Sequence, residues 1–178
     1  MEYKSIDEIY SANARICDRL IETVSRISDE ELKACPEGEK WSVEQIFEHV
    51  SIVDEGMARI CRKLLTEAEK SSLKSSEIVI SDVFKTYTDS VDEMKLEAPE
   101  RVWPTGQQSV EGSKEKLGES RAMFASLRPL FDEFDGVSLK FPHPYFGPLS
   151  AQDWLVLAGE HARRHTRQIE RLVEKIGR

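Results

Sequence analysis

Apolar side chains recur at steps of three and four residues in four long stretches of the chain, and this spacing predicts four amphipathic helices. The stretches span about residues 5–27, 42–70, 109–134 and 150–175. Pro129 lies inside the third stretch and predicts a kink or a break there. No stretch alternates convincingly at a period of two, so the pattern predicts an all-α protein.

Polar residues mark where two of these helices begin. Ser42 is followed three residues later by Gln45, and Ser150 is followed at the same distance by Asp153. Both pairs match the capping box, in which the serine side chain and the residue three positions on satisfy each other's backbone N–H groups. The second and fourth helices are therefore predicted to begin at these serines.

The segments between the helices predict how the helices are arranged. Residues 28–40 and 135–149 are rich in charge, Pro and Gly and predict loops, whereas residues 71–109 form a long crossover with a short helix near residues 81–94. Short connections make the first and second helices antiparallel, and likewise the third and fourth, while the long crossover makes the second and third parallel. We predict a four-helix bundle of up-down-down-up topology, formed as a single domain by residues 1–178.

Charge and cysteine content argue against several classes of function and of site. The chain carries 33 acidic against 25 basic residues, a formal net charge of −8, which disfavours binding to nucleic acid or to anionic membranes. Its three cysteines are scattered and form no CxxC pair, which argues against disulfides and Cys-type zinc sites and indicates a cytoplasmic protein. The N-terminal sequence has no apolar signal region, and no segment is long and apolar enough to span a membrane.

Three of the four histidines lie on inward-facing helical stripes. His161 and His165 are four residues apart on the fourth helix, between the apolar positions Ala158 and Ile169, and His49 lies on the inner side of the second helix. Residues four apart on a helix share a face, so two imidazoles at this spacing can bind one metal ion. The two helices could aim all three imidazoles at one point.

Burying these imidazoles has a free-energy cost that a shared ion would offset. A metal-free core, with each imidazole bonded to a polar side chain or to the backbone, is the other interpretation. The spacing of the pair matches the zincin motif, but Ala162 stands where that motif has its general-base glutamate, which disfavours a protease-like mechanism. Because metal ligands must be neutral imidazoles, with an ordinary pKa near 6.5, the sequence predicts that metal binding weakens below that pH.

The segments "WSVEQIFEHV" and "HPYFGPLSAQDWLVLAGEHARRHTRQI" resemble the DinB-like four-helix bundles, also called the DinB/YfiT superfamily of metal-dependent enzymes. The resemblance implies that His49, His161 and His165 bind a divalent ion, with zinc and nickel the usual metals. It also implies a small-molecule substrate, since members of the family include transferases that use low-molecular-weight thiols and proteins assigned as hydrolases. Many members have no known activity.

Two functions from different classes follow. The first is a metal-dependent enzyme that activates a thiol or a water for attack on a small electrophile, as a thiol transferase or a hydrolase. The second is a non-catalytic, metal-binding or stress-associated interaction protein, whose site would be closed by a fourth protein ligand. Asn13 and His143 are candidates for the substrate pocket, and Glu48 and Glu160 are candidates for orienting an imidazole.

The crossover contains more apolar residues than one bundle face obviously needs. They are Ile78, Val79, Ile80, Val83 and Phe84. An exposed patch of this kind is unusual on a monomer. Together with the family resemblance, it predicts a homodimer.

Overall fold

Four long helices dominate the computed structural model of the chain, which describes residues 3–74, 77–83 and 97–177. The elements are, in order, α1 (Ile6–Ser25), α2 (Asp29–Lys33), α3 (Val43–Lys70), a 3-10 turn (Glu100–Val102), α4 (Val110–Glu133), β1 (Lys140–His143), β2 (Gly147–Ser150) and α5 (Ala151–Ile176). The prediction of an all-α four-helix bundle is confirmed, with α1, α3, α4 and α5 as its helices. Helix α2 is a single extra turn inside the predicted loop.

The predicted capping boxes are present. The backbone N–H of Ser42 donates to Gln45 Oε1 at 3.0 Å, and the N–H of Gln45 donates to Ser42 Oγ at 3.3 Å. Ser150 and Asp153 make the same reciprocal pair at the start of α5. These caps satisfy N–H groups that lack a partner inside the helix, and they fix where α3 and α5 begin.

Contacts between the helices establish the topology. Helix α3 is antiparallel to α5, since Cys61 in the second half of α3 lies against Ala151 at the start of α5, while His49 lies against His165 further along. Helix α1 is antiparallel to α4, since the hydroxyl of Tyr10 donates to the backbone oxygen of Phe124 and Asp7 pairs with Arg128 one turn further along α4.

The buried core divides into two clusters along the bundle: one joins the first half of α3 to the first half of α4, and the other joins the second halves of the same two helices. One cluster contains Val43, Ile46 and Val50 of α3 with Val110 and Leu117 of α4, and the other contains Met57, Cys61, Leu64 and Leu65 of α3 with Phe124, Leu127 and Phe131 of α4. Helices α3 and α4 are therefore parallel, and the predicted up-down-down-up topology is confirmed.

Pro129 does not interrupt its helix. Helix α4 runs from Val110 to Glu133 with Pro129 inside it, so the break expected there is absent. A proline removes one helical N–H donor and crowds the preceding turn, but Leu127 and Phe131 on either side of it are buried in the core. Their packing holds the chain in helical form across the proline.

The segment before α5 is a β-hairpin where the sequence predicted a loop. Strands β1 and β2 pair antiparallel, with Pro142 opposite Pro148 and His143 opposite Gly147. The two prolines, which normally argue against a strand, share one position of the ladder, so the donors they lack are lost at a single pair. Gly147 has φ +70°, a left-handed conformation that favours glycine. This hairpin carries His143, whose ring lies against that of Trp154 in the first turn of α5.

The apolar residues of the crossover are used in part by the bundle itself. Ile78 and Ile80 pack against the core, whereas Val79 is 54% exposed. Phe84 and most of the short helix predicted near residues 81–94 lie outside the described residues. The apolar patch that motivated the homodimer prediction is therefore smaller than the sequence indicated.

Among the helices in the described part of the chain, none has the length and apolarity needed to cross a membrane.

Helices α1 and α5 approach closely at Gly159, where Asn13 occupies the space of a side chain. Asn13 Nδ2 donates to the backbone oxygen of Leu155 at 2.8 Å, and a Cβ on Gly159 would lie 2.1 Å from Asn13 Oδ1. We expect Gly159→Ala to destabilise the protein by about 1–3 kcal/mol through overpacking, despite the helical preference of Ala. Urea denaturation measures the change.

Gly118 on α4 provides the matched control, because a Cβ there would meet no atom within 4 Å. Gly118→Ala is expected to stabilise the protein by up to about 1 kcal/mol through helix propensity alone. The double variant Asn13→Ala/Gly159→Ala should recover most of the loss. Equal effects of Gly159→Ala and Gly118→Ala would show that the close contact with Asn13 has no energetic importance.

Candidate metal centre

Helices α3 and α5 bring three imidazoles together inside the bundle. His49 comes from α3 and His161 and His165 from α5, and a potential ligand atom from each lies within 4.8 Å of those of the other two. The ring centroids are 5.2 Å apart for His49 and His161, 5.0 Å for His49 and His165, and 4.4 Å for His161 and His165. All three imidazoles that the sequence singled out therefore meet at one point.

The ring of His49 is held by its neighbours on two sides. Trp41 packs on it with ring centroids 5.0 Å apart, and His49 Nδ1 lies 2.7 Å from the backbone oxygen of Val102. A carbonyl oxygen can only accept, so Nδ1 carries the proton and donates. The lone pair of His49 is therefore on Nε2, the nitrogen left for a ligand.

Glu48 supports this arrangement through the backbone of the crossover. Its carboxylate is buried and accepts three hydrogen bonds, from the N–H of Thr105 at 3.0 Å, the hydroxyl of Thr105 at 2.6 Å and the N–H of Gly106 at 2.9 Å. The sequence offered Glu48 as a direct partner of an imidazole. Glu48 acts on His49 indirectly instead, because it fixes the segment that brings the oxygen of Val102 to His49.

His165 is held in the same tautomer as His49. Its Nδ1 lies 2.8 Å from Gln168 Oε1 and donates to it, which leaves the lone pair on Nε2. His165 Nε2 and His161 Nε2 face each other at 3.2 Å. The Nδ1 of His161 is buried and has no partner among the described residues, so none of them outside the cluster determines which nitrogen of His161 carries the proton.

Burial and mutual proximity disfavour protonation of the cluster. Desolvation lowers the pKa of His165 to about 3, with further lowering by His49 and Arg164. Desolvation also lowers the pKa of His161 well below its usual value and lowers that of His49, although the hydrogen bond to Val102 opposes the shift at His49. All three imidazoles are neutral at neutral pH, which is the form that binds a metal.

The donor set fits a divalent ion. A tetrahedral zinc with Zn–N distances of about 2.0–2.1 Å places its nitrogens roughly 3.4 Å apart, close to the 3.2 Å between the Nε2 atoms of His161 and His165. Two lone pairs that face each other at this distance repel unless a proton or a cation lies between them. Carbonyl and amide oxygens behind His49 and His165 are the outer partners that metal-ligating histidines typically have.

A cavity of about 320 Å³ opens onto the three imidazoles. Apolar side chains form much of its wall, and they include Val53, Met57, Ile60, Leu157, Phe146 and Trp154. Three cationic residues, Lys40, Arg101 and Arg164, also line it. Among the residues the structure describes, Glu97 is the one carboxylate in this lining. The cluster therefore faces a space that is apolar, with a local excess of positive charge in a protein of net negative charge.

The other predicted site residues lie in different places. His143 lines the cavity with the three histidines. Asn13 instead lies between α1 and α5, bonded to Leu155, and is not among the lining residues. Glu160 is buried and pairs with Arg163 rather than with an imidazole.

Some contributors to the site had weak signals or none in the sequence. Arg164 lies three residues after His161, so the helical period already placed it near the histidine face. Gln168 lies three residues after His165, the spacing that allows the observed contact. The oxygen of Val102 had no signal, because a backbone acceptor 53 residues from His49 is brought there by the tertiary fold alone.

Glu48→Gln tests the support that the crossover gives to the site. The amide would turn an NH2 donor toward backbone N–H groups that now meet a carboxylate, so hydrogen bonds to a buried charged group are lost. We expect a loss of about 2–3 kcal/mol in the free energy of unfolding, measured by urea denaturation. Glu44→Gln, one turn earlier on α3, is the matched control and should change stability by less than about 1 kcal/mol. Equal losses in the two variants would contradict the anchoring role of Glu48.

Comparison with known proteins gives a family match, a relative and a solved structure of similar fold. A family model described as the DinB superfamily matches residues 13–169. The uncharacterized protein YuaE of Bacillus subtilis strain 168 is 26% identical over 158 residues, which span 85% of this chain and 89% of that protein. The crystal structure of TT2238, described as a four-helix bundle protein, aligns with a TM-score of 0.62 at 21% identity over 94% of this chain and 99% of that one, which shows a shared fold.

Proposed function

The chain belongs to the DinB superfamily, and from this membership and the geometry of its three histidines we propose that it is a metal-dependent enzyme. In this proposal His49, His161 and His165 hold one divalent ion, zinc or nickel. The protein activates a thiol or a water for attack on a small electrophile. The cytoplasm is the proposed location, because all three cysteines are free.

One observation carries the proposal: the three imidazoles line the wall of a 320 Å³ cavity. Structural zinc sites have four protein ligands, whereas catalytic sites have three and keep a position for water or substrate. A three-histidine cluster that borders a cavity has the second arrangement. The same observation weighs against the non-catalytic alternative, which needs a closed site.

A divalent ion bound here would supply Lewis acidity, which lowers the pKa of a coordinated water or thiol. The chain's own residues supply the rest. Val102 and Gln168 hold two imidazoles with their Nε2 lone pairs available. Arg164 lines the cavity and adds a positive charge that favours an anionic nucleophile. The apolar wall limits access of water.

The positions of the described carboxylates favour a thiol over a water as the nucleophile, because a water would need a general base beside the histidines. Both oxygens of Glu48 accept hydrogen bonds from the crossover, Glu160 pairs with Arg163, and Ala162 replaces the glutamate of the zincin motif. None of these positions provides a general base beside the histidines, and Glu97, the one carboxylate among the described residues of the cavity lining, is exposed to solvent. A thiol, with an ordinary pKa near 8.5, ionises without such a base more readily than water. We therefore favour a low-molecular-weight thiol as the nucleophile.

Binding of a thiol to cobalt-substituted protein tests the proposal. Addition of 2-mercaptoethanol should produce a near-ultraviolet sulfur-to-cobalt absorption band in the wild type, and His49→Ala should lose it. Conjugation of 1-chloro-2,4-dinitrobenzene to the same thiol should then be faster with zinc-loaded wild type than with the variant, with release of chloride and of the thiol proton. Cobalt that binds without a thiol band would exclude the thiol role. Equal conjugation rates in the two proteins would favour the non-catalytic alternative.

Self-association stays a prediction. The described part of the crossover exposes Val79, while Ile78 and Ile80 pack on the core, so the apolar surface offered to a second copy is limited. Light scattering at micromolar concentration distinguishes a dimer from a 20 kDa monomer.

A further inference from the structure

We propose that His143 is a fixed hydrogen-bond donor, which presents its Nε2–H to an oxygen acceptor of the substrate in the cavity. The inference has two halves. The ligand half, in which Nε2–H binds a substrate oxygen, rests on the proposed function. The tautomer half, in which Nε2 carries the proton, does not.

The hairpin determines which nitrogen of His143 carries the proton. His143 Nδ1 accepts from the backbone N–H of Tyr145 at 3.2 Å and from that of Phe146 at 3.3 Å. A nitrogen that accepts from two N–H donors has no proton of its own, so the neutral ring carries its proton on Nε2. The turn between β1 and β2 thus fixes the tautomer.

Ring contacts fix the orientation of the same imidazole. Its ring is stacked on that of Phe146, with centroids 4.5 Å apart and planes 9° apart, and the ring of Trp154 lies 5.3 Å away. Burial lowers the pKa of His143 to about 4, with a smaller contribution from Arg101. The imidazole is therefore neutral at physiological pH and held in one position.

The proton of His143 has no acceptor in the described part of the protein. Nδ1 is used by the turn, and no hydrogen bond joins Nε2 to another described residue, although His143 lines the cavity. A donor without an acceptor in a partly buried site has a free-energy cost. A ligand that supplies an acceptor removes this cost.

The chemistry of this wall selects the substrate class. The donor at His143, with the cations Arg101 and Arg164 in the same lining, favours a carbonyl, carboxylate, phosphoryl or epoxide oxygen. This wall disfavours an ammonium group, which would meet a donor and two cations. The inferred substrate is a small molecule with an apolar body and an oxygen acceptor.

Two substitutions separate the two nitrogens of His143. In His143→Asn, Oδ1 takes the place of Nδ1 and can accept from the turn, but no donor reaches the position of Nε2. In His143→Gln, the amide N–H reaches farther into the cavity, but the turn loses its acceptor. A purely structural role therefore predicts that His143→Asn resembles the wild type and that His143→Gln is impaired.

The binding experiment uses zinc-loaded protein and two probes in calorimetric titrations. Acetohydroxamate offers oxygen acceptors, whereas ethanethiol offers none. We expect the Kd of acetohydroxamate to rise roughly tenfold in His143→Asn and to recover in part in His143→Gln, while the Kd of ethanethiol stays within twofold. Equal weakening of both probes in His143→Asn, or no weakening of acetohydroxamate, would overturn the inference.

Long-range proton–nitrogen NMR of 15N-labelled protein tests the tautomer without any ligand, with the His143 signals identified by their loss in His143→Asn. We expect a proton on Nε2 and none on Nδ1 from pH 7.5 to 5.5. A proton on Nδ1 anywhere in this range would overturn the inference even if both probes bind. If neither probe binds the wild type, the proposed function fails, and the ligand half of this inference fails with it.

Discussion

Zinc is expected to raise the melting temperature of the chelator-treated protein by roughly 10 °C at pH 7.5. An ion that binds the folded bundle and hardly the unfolded chain stabilises the fold by RT ln(1 + [L]/Kd), which is about 4 kcal/mol when free zinc is about 1,000 times Kd. For a chain of this length each kcal/mol corresponds to about 2–4 °C. Thermal melts with zinc or with EDTA measure the difference.

His49→Ala is the control for this effect, because it removes one of the three proposed ligands and leaves both histidines of α5. Its melting temperature should hardly respond to zinc. A wild type that melts at the same temperature with zinc and with EDTA would support the metal-free core, in which the imidazoles only bond to their protein partners.

The sequence predicts that metal binding weakens below about pH 6.5. Burial of the histidines in the structure shifts the loss of metal binding and of stability to lower pH. The folded-state pKa of His165 is about 3, and those of His161 and His49 are also lowered, whereas the unfolded-state values lie near 6.5. The unfolded chain therefore binds more protons, and stability that is present above about pH 6.5 is lost as the pH falls toward the folded-state values. The EDTA-treated protein should melt lower at pH 5 than at pH 7.5.

Because burial lowers the folded-state pKa of all three ligands, the zinc effect should weaken only partly between pH 7.5 and pH 5. This differs from a site of ordinary histidines, in which protons would compete with zinc from about pH 6.5 downward. A zinc effect that is large at pH 7.5 and absent at pH 5 would show that the folded-state histidines titrate near 6.5, and it would contradict the effect assigned to burial.

Zinc affinity is expected to fall in graded steps along α5. His165→Ala removes a ligand and should weaken zinc binding by more than about 100-fold. Gln168→Leu leaves the ligand but removes the acceptor of its Nδ1–H, and loss of such an outer partner typically weakens metal binding by about 10–100-fold. Competition against a chromophoric zinc chelator measures both constants.

Arg171→Ala, at an exposed position one turn beyond Gln168 on α5, is the matched control and should leave zinc affinity unchanged. Equal affinities for the wild type and Gln168→Leu would remove Gln168 from the support of the site. A loss in Arg171→Ala as large as that in His165→Ala would indicate a general loss of structure instead of a lost ligand.

The periodic features of the chain were predictable because they are local. Helical stripes placed His161 and His165 on one face, and the capping pairs at Ser42 and Ser150 gave the helix starts to within a residue. The lengths of the connections gave the topology. Each of these inferences uses residues that are close in sequence, where helical geometry alone determines which side chains share a face.

The parts that the sequence did not predict depend on contacts between distant segments. Asn13 is on an inward stripe, as expected, but only the fold pairs it with Gly159 rather than with the cavity. The use of Glu48 to anchor Thr105 and Gly106, 57 and 58 residues away, has no signal in a periodic pattern. The hairpin was missed because its prolines argue against strands when each is considered alone, and not when they face each other.

X-ray absorption at the zinc edge of zinc-loaded protein decides whether the three histidines hold the ion, since it counts and identifies the atoms around the ion. The three-histidine site predicts three imidazole nitrogens at about 2.0–2.1 Å, one further light atom and no sulfur, with one imidazole lost in His49→Ala. A sulfur ligand from a cysteine, or an imidazole count that is the same in the wild type and in His49→Ala, would contradict it.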